Sequence, residues 1–218
     1  MSDFLIWQLA DSAFPTGSFA HSWGLEAAWQ SGEVASVEAL RWFVLDVLHQ
    51  TGRGSLPLLT AAYRDPMRLG ELDCLADVFL TNAVANRASR IQGRALLTTC
   101  ARVWSLPAIR ALEATSDSRC GHCAPIAGAV MRALGVALPI AQRLFLYNSV
   151  RGVLAAAVRL GIAGSYEAQR LQFETAAIME RVLERCGDLD ELALAQTAPI
   201  LDLLQASHDR LYSRLFQS

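Results

Sequence analysis

The chain has 218 residues, 53% of them hydrophobic, which is material for a buried core in one large domain or two small ones. Its formal net charge of −2 supplies no general field for nucleic acid, and all 19 of its basic residues are arginine. No apolar run reaches the ~18 residues that span a bilayer; Val153 to Leu160 contains Arg159 and follows Arg151, and with Asp3 near the start and no basic stretch before Leu5-Ile6-Trp7 no export signal is read, so a cytoplasmic location is expected.

In chain order, the first punctuated stretch is Leu9 to Glu26. Phe14 precedes a proline and is pushed out of the α region. Pro15 and Gly17 predict a tight turn. Ser18 reads as the N-cap of a helix continuing through Trp23 and Leu25. The elbow so formed carries Phe14, Phe19, His21 and Trp23 close together.

Val37 to Gln50 has helical spacing at Leu40, Val44, Val47 and Leu48, and Gly52-Arg53-Gly54 is read as its end. Ser55-Leu56-Pro57 restarts a helix to about Arg64, and Asp65-Pro66 breaks it. Met67 to Ala83 is the next. Asn86 to Trp104 follows, with Val84, Ala88, Ile91 and Ala95 as one face and Arg87, Arg90 and Arg94 as a second stripe. The stripe is either a solvated face or a docking face. Arginine makes bidentate contacts that lysine cannot, so such a face suits a carboxylate-bearing partner. Gly93, inside this helix, costs about 1 kcal/mol against alanine and predicts close approach of another backbone.

A short helix begins near Pro107. Thr115 to Ala124 is a polar loop, and Pro125 to Leu134 is helical up to Gly135. Leu138 to Leu160 is the longest predicted helix, with Pro139 in its first turn. Tyr147 and Arg151 lie one turn apart within it and suit a stacked or hydrogen-bonded pair. After a corner at Gly161 and Gly164, Ser165 to Cys186 forms a helix, and Gly187 to Glu191 an acidic turn. Thr197 to Phe216 is the last predicted helix. It is apolar on two sides: Ile200, Leu204, Leu211 and Leu215 on one, Leu201, His208, Tyr212 and Phe216 on the other. Such a helix is clamped between elements or binds something.

The five cysteines are odd in number, which argues against a disulfide framework in a chain with no export signal. Cys120-Gly121-His122-Cys123 has the spacing of a thiol–disulfide oxidoreductase, but the expected strands are missing. The same loop offers Cys120, His122 and Cys123 as metal ligands, one short of a closed zinc site, with Cys100 or His21 available only through the fold. A plain polar loop is the third reading. There is no P-loop. Thr16-Gly17-Ser18-Phe19-Ala20 lacks the second glycine of a nucleophile elbow. The histidines form no recognisable triad, and Asp188 and Asp190 sit in a solvated turn.

Ser12, Pro15, Gly17, Phe19, His21, Ser22, Gly24, Leu25 and Glu26 match, at fixed spacing, the N-terminal signature of the urease accessory protein UreF family. The Asn86 to Leu97 run, His122-x-x-Pro125-x-x-Gly128, the Arg159 to Gly164 corner and the tail from His208 to Ser218 resemble it as well, so the resemblance covers nearly the whole chain. The two cysteines flanking His122 lie outside the family pattern. Periodicity and punctuation predict an all-α single domain, residues 1–218, of roughly ten helices around a long central one.

The resemblance implies a non-catalytic accessory protein for nickel insertion into urease. It implies a homodimer that binds the scaffold partner UreD/UreH, recruits the GTPase UreG and influences its cycle, and acts on apo-urease. Nucleic acid and membrane are not expected partners. No tightly bound cofactor is implied; nickel is delivered by the complex, with a transient contact to this chain at most. Candidate partner-binding residues are Phe14, Pro15, His21 and Trp23 at the elbow, Arg87, Arg90 and Arg94, Tyr147 and Arg151, and His208, Tyr212 and Phe216 near the end. The rival readings are a Cys120–Cys123 redox pair and a direct nickel carrier using that loop.

Overall fold

A computed structural model describes residues 3–114 and 120–217. Those residues form eleven α-helices and no strand: α1 (Asp3–Ala10), α2 (Leu25–Gln30), α3 (Val37–Gly54), α4 (Leu56–Arg64), α5 (Leu69–Phe79), α6 (Ala83–Trp104), α7 (Pro107–Ala114), α8 (Cys123–Ala133), α9 (Leu138–Arg159), α10 (Ser165–Cys186) and α11 (Pro199–Ser207). The starts of α3, α6 and α10 carry side-chain caps. Ser36 accepts the Ala39 N–H, Asn82 those of Val84 and Ala85, and Glu167 the Gly164 N–H, so donors with no partner inside the helix are satisfied.

The apolar side chains divide into two clusters. One is built from α1, α4 to α8 and the first half of α9, around Leu59, Leu72, Leu97, Ile109 and Val130. The other joins α2, α3, the second half of α9 and α10, around Leu25, Leu48, Leu146, Val153 and Leu171. α9 therefore runs through both, which is why it is apolar on several faces. Its length, 22 residues, is shared by α6 and α10. Between the clusters buried Gln142 on α9 donates to Thr60 Oγ1 at 2.9 Å and to the Gly187 carbonyl at 2.6 Å. These bonds tie α4, α9 and the end of α10 together.

Several predicted boundaries move, for identifiable reasons. α3 does not stop at Gly52 but continues through Gly54. Gly52 is where α10 comes closest, and a Cβ there would collide with Val182. The glycine is a packing device rather than a terminator. α5 begins at Leu69 and ends at Phe79, because Asp65 and Pro66 first nucleate a separate 3₁₀ turn at Pro66–Arg68. Ile91, placed on one face of α6 with Val84 and Ala88, is exposed where those two are buried. The predicted helix from Ser18 through Leu25 is interrupted: a 3₁₀ turn ends at Ala20, and Trp23 (φ 60°) and Gly24 (φ 85°) are both left-handed. The last helix ends at Ser207 instead of Phe216. A 3₁₀ turn at His208–Arg210 and an irregular tail follow. Among the described residues no helix is long and apolar enough to cross a membrane.

Candidate functional site

Two polar clusters stand out from the apolar packing. The first joins the two ends of the chain. Glu26, on α2, is buried, and its carboxylate is saturated by three groups from the tail. It accepts the Leu215 N–H at 2.6 Å and the Phe216 N–H at 3.1 Å, and lies 3.0 Å from His208 Nε2. Gln217 N donates to the Ala20 carbonyl at 2.8 Å, which adds the elbow to the clasp. Arg159, at the end of α9, sits between the rings of Phe19 and Phe216, 4.0 and 4.2 Å from their centroids, and donates to the Phe19 carbonyl. A buried carboxylate is costly unless paired and hydrogen-bonded. The tail is what satisfies this one, and that is why the chain leaves the helix after Ser207.

His21 is buried beside this clasp. Burial, reinforced by the Arg87 and His208 charges, lowers its pKa from 6.5 to about 4. Phe14, His208 and Phe216 are also buried, so these four predicted partner-contact side chains face the chain's own interior. Phe14 packs against Trp104, and Trp23 lies half-buried against Gly152. The Pro15 carbonyl accepts from Thr99 Oγ1 at 2.8 Å. Tyr212 is fully exposed, and Phe19 and Leu215 are largely so.

The arginine stripe is partly engaged. Arg87 pairs with Asp209 of the tail at 2.8 Å, Arg90 lies 3.9 Å from Asp77, and the stem of Arg94 lies along Gly121. The predicted Tyr147–Arg151 pair forms, with the guanidinium 5.9 Å from the ring centroid; Arg151 also donates to the Ala10 carbonyl.

The second cluster is a knot of Asp73, Asp77, Ser89 and His122, where the 120–122 segment crosses α5 and α6. Buried Asp73 accepts the Gly121 and His122 N–H groups at 2.9 and 2.7 Å. His122, with no exposed surface, has Nδ1 3.2 Å from Ser89 Oγ and Nε2 3.0 Å from Asp77 Oδ1. Ser89 Oγ also accepts the Cys123 N–H at 3.1 Å. As predicted, Gly93 admits another backbone, that of Gly121 to Cys123.

The knot separates the two cysteines of the loop. Cys123 is the first residue of α8 and lines a cavity of about 180 Å³ shared with His21, Trp23 and Asn148. Cys120 remains with Asp77 and His122, each offering a ligand atom within 4.8 Å of the others. Of the candidate metal ligands Cys120, His122 and Cys123, the structure groups Cys120 and His122 with Asp77. Burial pushes the Cys123 thiol up to about 12, and burial with the charges of Asp77 and Asp73 raises Cys120. A redox pair needs a thiol lowered below its ordinary value, so the oxidoreductase reading finds no support here. Neither Asp73 nor Asp77 is distinguishable in sequence from a surface carboxylate.

Clasp and knot define an all-α protein whose buried polar groups hold loops and chain ends in fixed places. The UreF family model matches residues 34–176. The chain is 40% identical over 97% of its length to urease accessory protein F of Arabidopsis thaliana, covering 91% of that protein. It is 32% identical to urease accessory protein UreF of Trichodesmium erythraeum, over 96% of this chain and 94% of that one. The chain belongs to the UreF family.

Proposed function

We propose that this chain is a non-catalytic accessory protein of urease maturation. In this reading it acts in the cytoplasm as a homodimer, bridges the scaffold partner UreD/UreH and the GTPase UreG, modulates that GTPase, and assists nickel insertion into apo-urease. Family membership and the near full-length relatives, themselves named urease accessory proteins, support the maturation role.

The observation that carries the scaffold role is the clasp. It brings the elbow and the tail, the two stretches that most resemble the family signatures, into one surface. Exposed Phe19, Tyr212 and Leu215 lie there over a buried polar foundation. Exposed aromatic side chains on a rigid base are what a protein interface selects. The contact residues are accordingly Phe19, Tyr212 and Leu215, with Phe14, His21, His208 and Phe216 setting the shape beneath them.

The test is capture of the tagged chain with purified UreD/UreH and UreG, followed by native mass spectrometry. A complex with two copies of each is expected. A folded, helical chain that captures neither protein overturns the reading.

A further inference from the structure

We propose that Asp77, Cys120 and His122 form an open three-ligand site for a borderline divalent transition-metal ion such as Ni²⁺, Co²⁺ or Zn²⁺. This goes beyond the maturation reading and does not depend on it, since it concerns metal binding by the isolated chain. One carboxylate oxygen, one imidazole nitrogen and one thiolate make a donor set of mixed softness. Such a set suits first-row ions from cobalt to zinc and not magnesium or calcium.

The geometry is close to that of a loaded site. His122 Nε2 and Asp77 Oδ1 are 3.0 Å apart. Two ligands each about 2.1 Å from one ion are separated by about 3.0 to 3.4 Å for angles between right and tetrahedral. These two atoms therefore need not move; the ion takes the place of the proton between them, and the neutral ring carries its N–H on Nδ1 instead, toward Ser89 Oγ. The sulfur must come to about 3.6 Å from the nitrogen in a tetrahedral arrangement. It starts with all three donor atoms within 4.8 Å of one another, an adjustment a side-chain torsion supplies. Cys120 binds as the thiolate and gives its proton to solvent, as coordinated thiols do.

The outer groups fit the same reading. A metal-bound imidazole usually donates its other N–H to an oxygen that fixes ring and tautomer. Ser89 Oγ stands 3.2 Å from His122 Nδ1 in that position, itself held by the Cys123 N–H. Asn86 Nδ2 donates to Asp77 Oδ1 at 3.0 Å and orients the carboxylate. The His122 backbone is clamped by buried Asp73, which adds a second negative charge behind the site.

Access is one-sided. His122 is fully buried, whereas the Asp77 side chain is 39% exposed. The fourth coordination position therefore opens to solvent, where water or a donor from another protein completes the shell. Arg90, 3.9 Å from Asp77, opposes the ion's charge. Both features favour reversible holding over a closed structural site.

The experiment titrates the full-length, reduced, metal-free chain with Co²⁺ alone and then Ni²⁺ alone, by absorption and calorimetry. One ion per chain is expected, with a thiolate-to-metal charge-transfer band. Cys120→Ser removes the band. Asp77→Asn and Ser89→Ala weaken binding by about 10- to 100-fold, the usual effect of losing an orienting or ligating partner. Cys123→Ser and Cys74→Ser change neither quantity. Absence of the band, its survival in Cys120→Ser, or its loss in Cys123→Ser overturns the site. Circular dichroism confirms folding; should Asp77→Asn not fold, Cys120→Ser decides alone. A positive titration with no captured partner, or the reverse, separates this inference from the maturation reading.

Discussion

Single side chains carry most of the conformational information in the clasp. Glu26 is the anchor: truncation removes the partner of His208 and the acceptor for two tail N–H groups at once. Each buried donor left without its acceptor costs about 1 to 3 kcal/mol. Glu26→Ala should therefore lower the denaturation midpoint sharply and release the tail, seen as proteolysis after Ser207. Unchanged midpoint and tail protection would show that the clasp contributes nothing. His21 supplies a pH dependence. Its folded pKa of about 4 lies below its unfolded value of 6.5, so the unfolded chain takes up the proton first. Its contribution is complete above pH 6.5 and is lost as pH falls through that window, the loss amounting to about 3 kcal/mol once pH is below the folded pKa. Thermal midpoints measured from pH 7 to pH 5 should fall more steeply in the native chain than in His21→Gln; parallel slopes refute the assignment.

Among the helices, glycine positions show when packing overrules propensity. Alanine is about 1 kcal/mol better than glycine in a helix interior. In α6, however, a Cβ at Gly93 would penetrate the Gly121 carbonyl and the His122 backbone. Gly93→Ala should destabilise the protein despite its higher propensity, and should displace the 120–122 segment. Gly70 in α5 has no atom within 4 Å of a built Cβ. Gly70→Ala should be neutral or stabilising, by up to about 1 kcal/mol. Chemical denaturation of both variants checks the contrast; equal shifts would mean that backbone approach at Gly93 is not limiting.

Over the whole molecule, the clasp separates what folds the chain from what it presents. Phe216 is buried against Arg159, while Tyr212, four residues earlier, is fully exposed. Phe216→Ala should cost about 3 to 5 kcal/mol, the usual price of emptying a buried aromatic site. Tyr212→Ala combined with Phe19→Ala should lower stability only by what the Phe19–Arg159 contact contributes, about 1 kcal/mol, and weaken capture of UreD/UreH by at least about tenfold, as loss of an aromatic hot spot does. Calorimetry on the folded double variant decides this, and undiminished binding would place the interface elsewhere.

Local patterns in the sequence were enough for the all-α class, most helix positions, the close approach at Gly93 and the Tyr147–Arg151 pair, because 3.6-residue periodicity, caps and side-chain spacing are short-range properties. The family was legible too, in the spacing of Ser12 to Glu26. What only the tertiary structure decided depends on contacts between distant segments. Glu26 meets residues up to 190 positions away, so nothing local to the tail signals that its helix ends at Ser207. Asp77 joins Cys120 and His122 only because Asp73 and Gly93 seat the loop across α5 and α6, while Cys123 turns inward as α8 begins. Helical periodicity shows that a residue lies on a face; the partner opposite that face is supplied by packing.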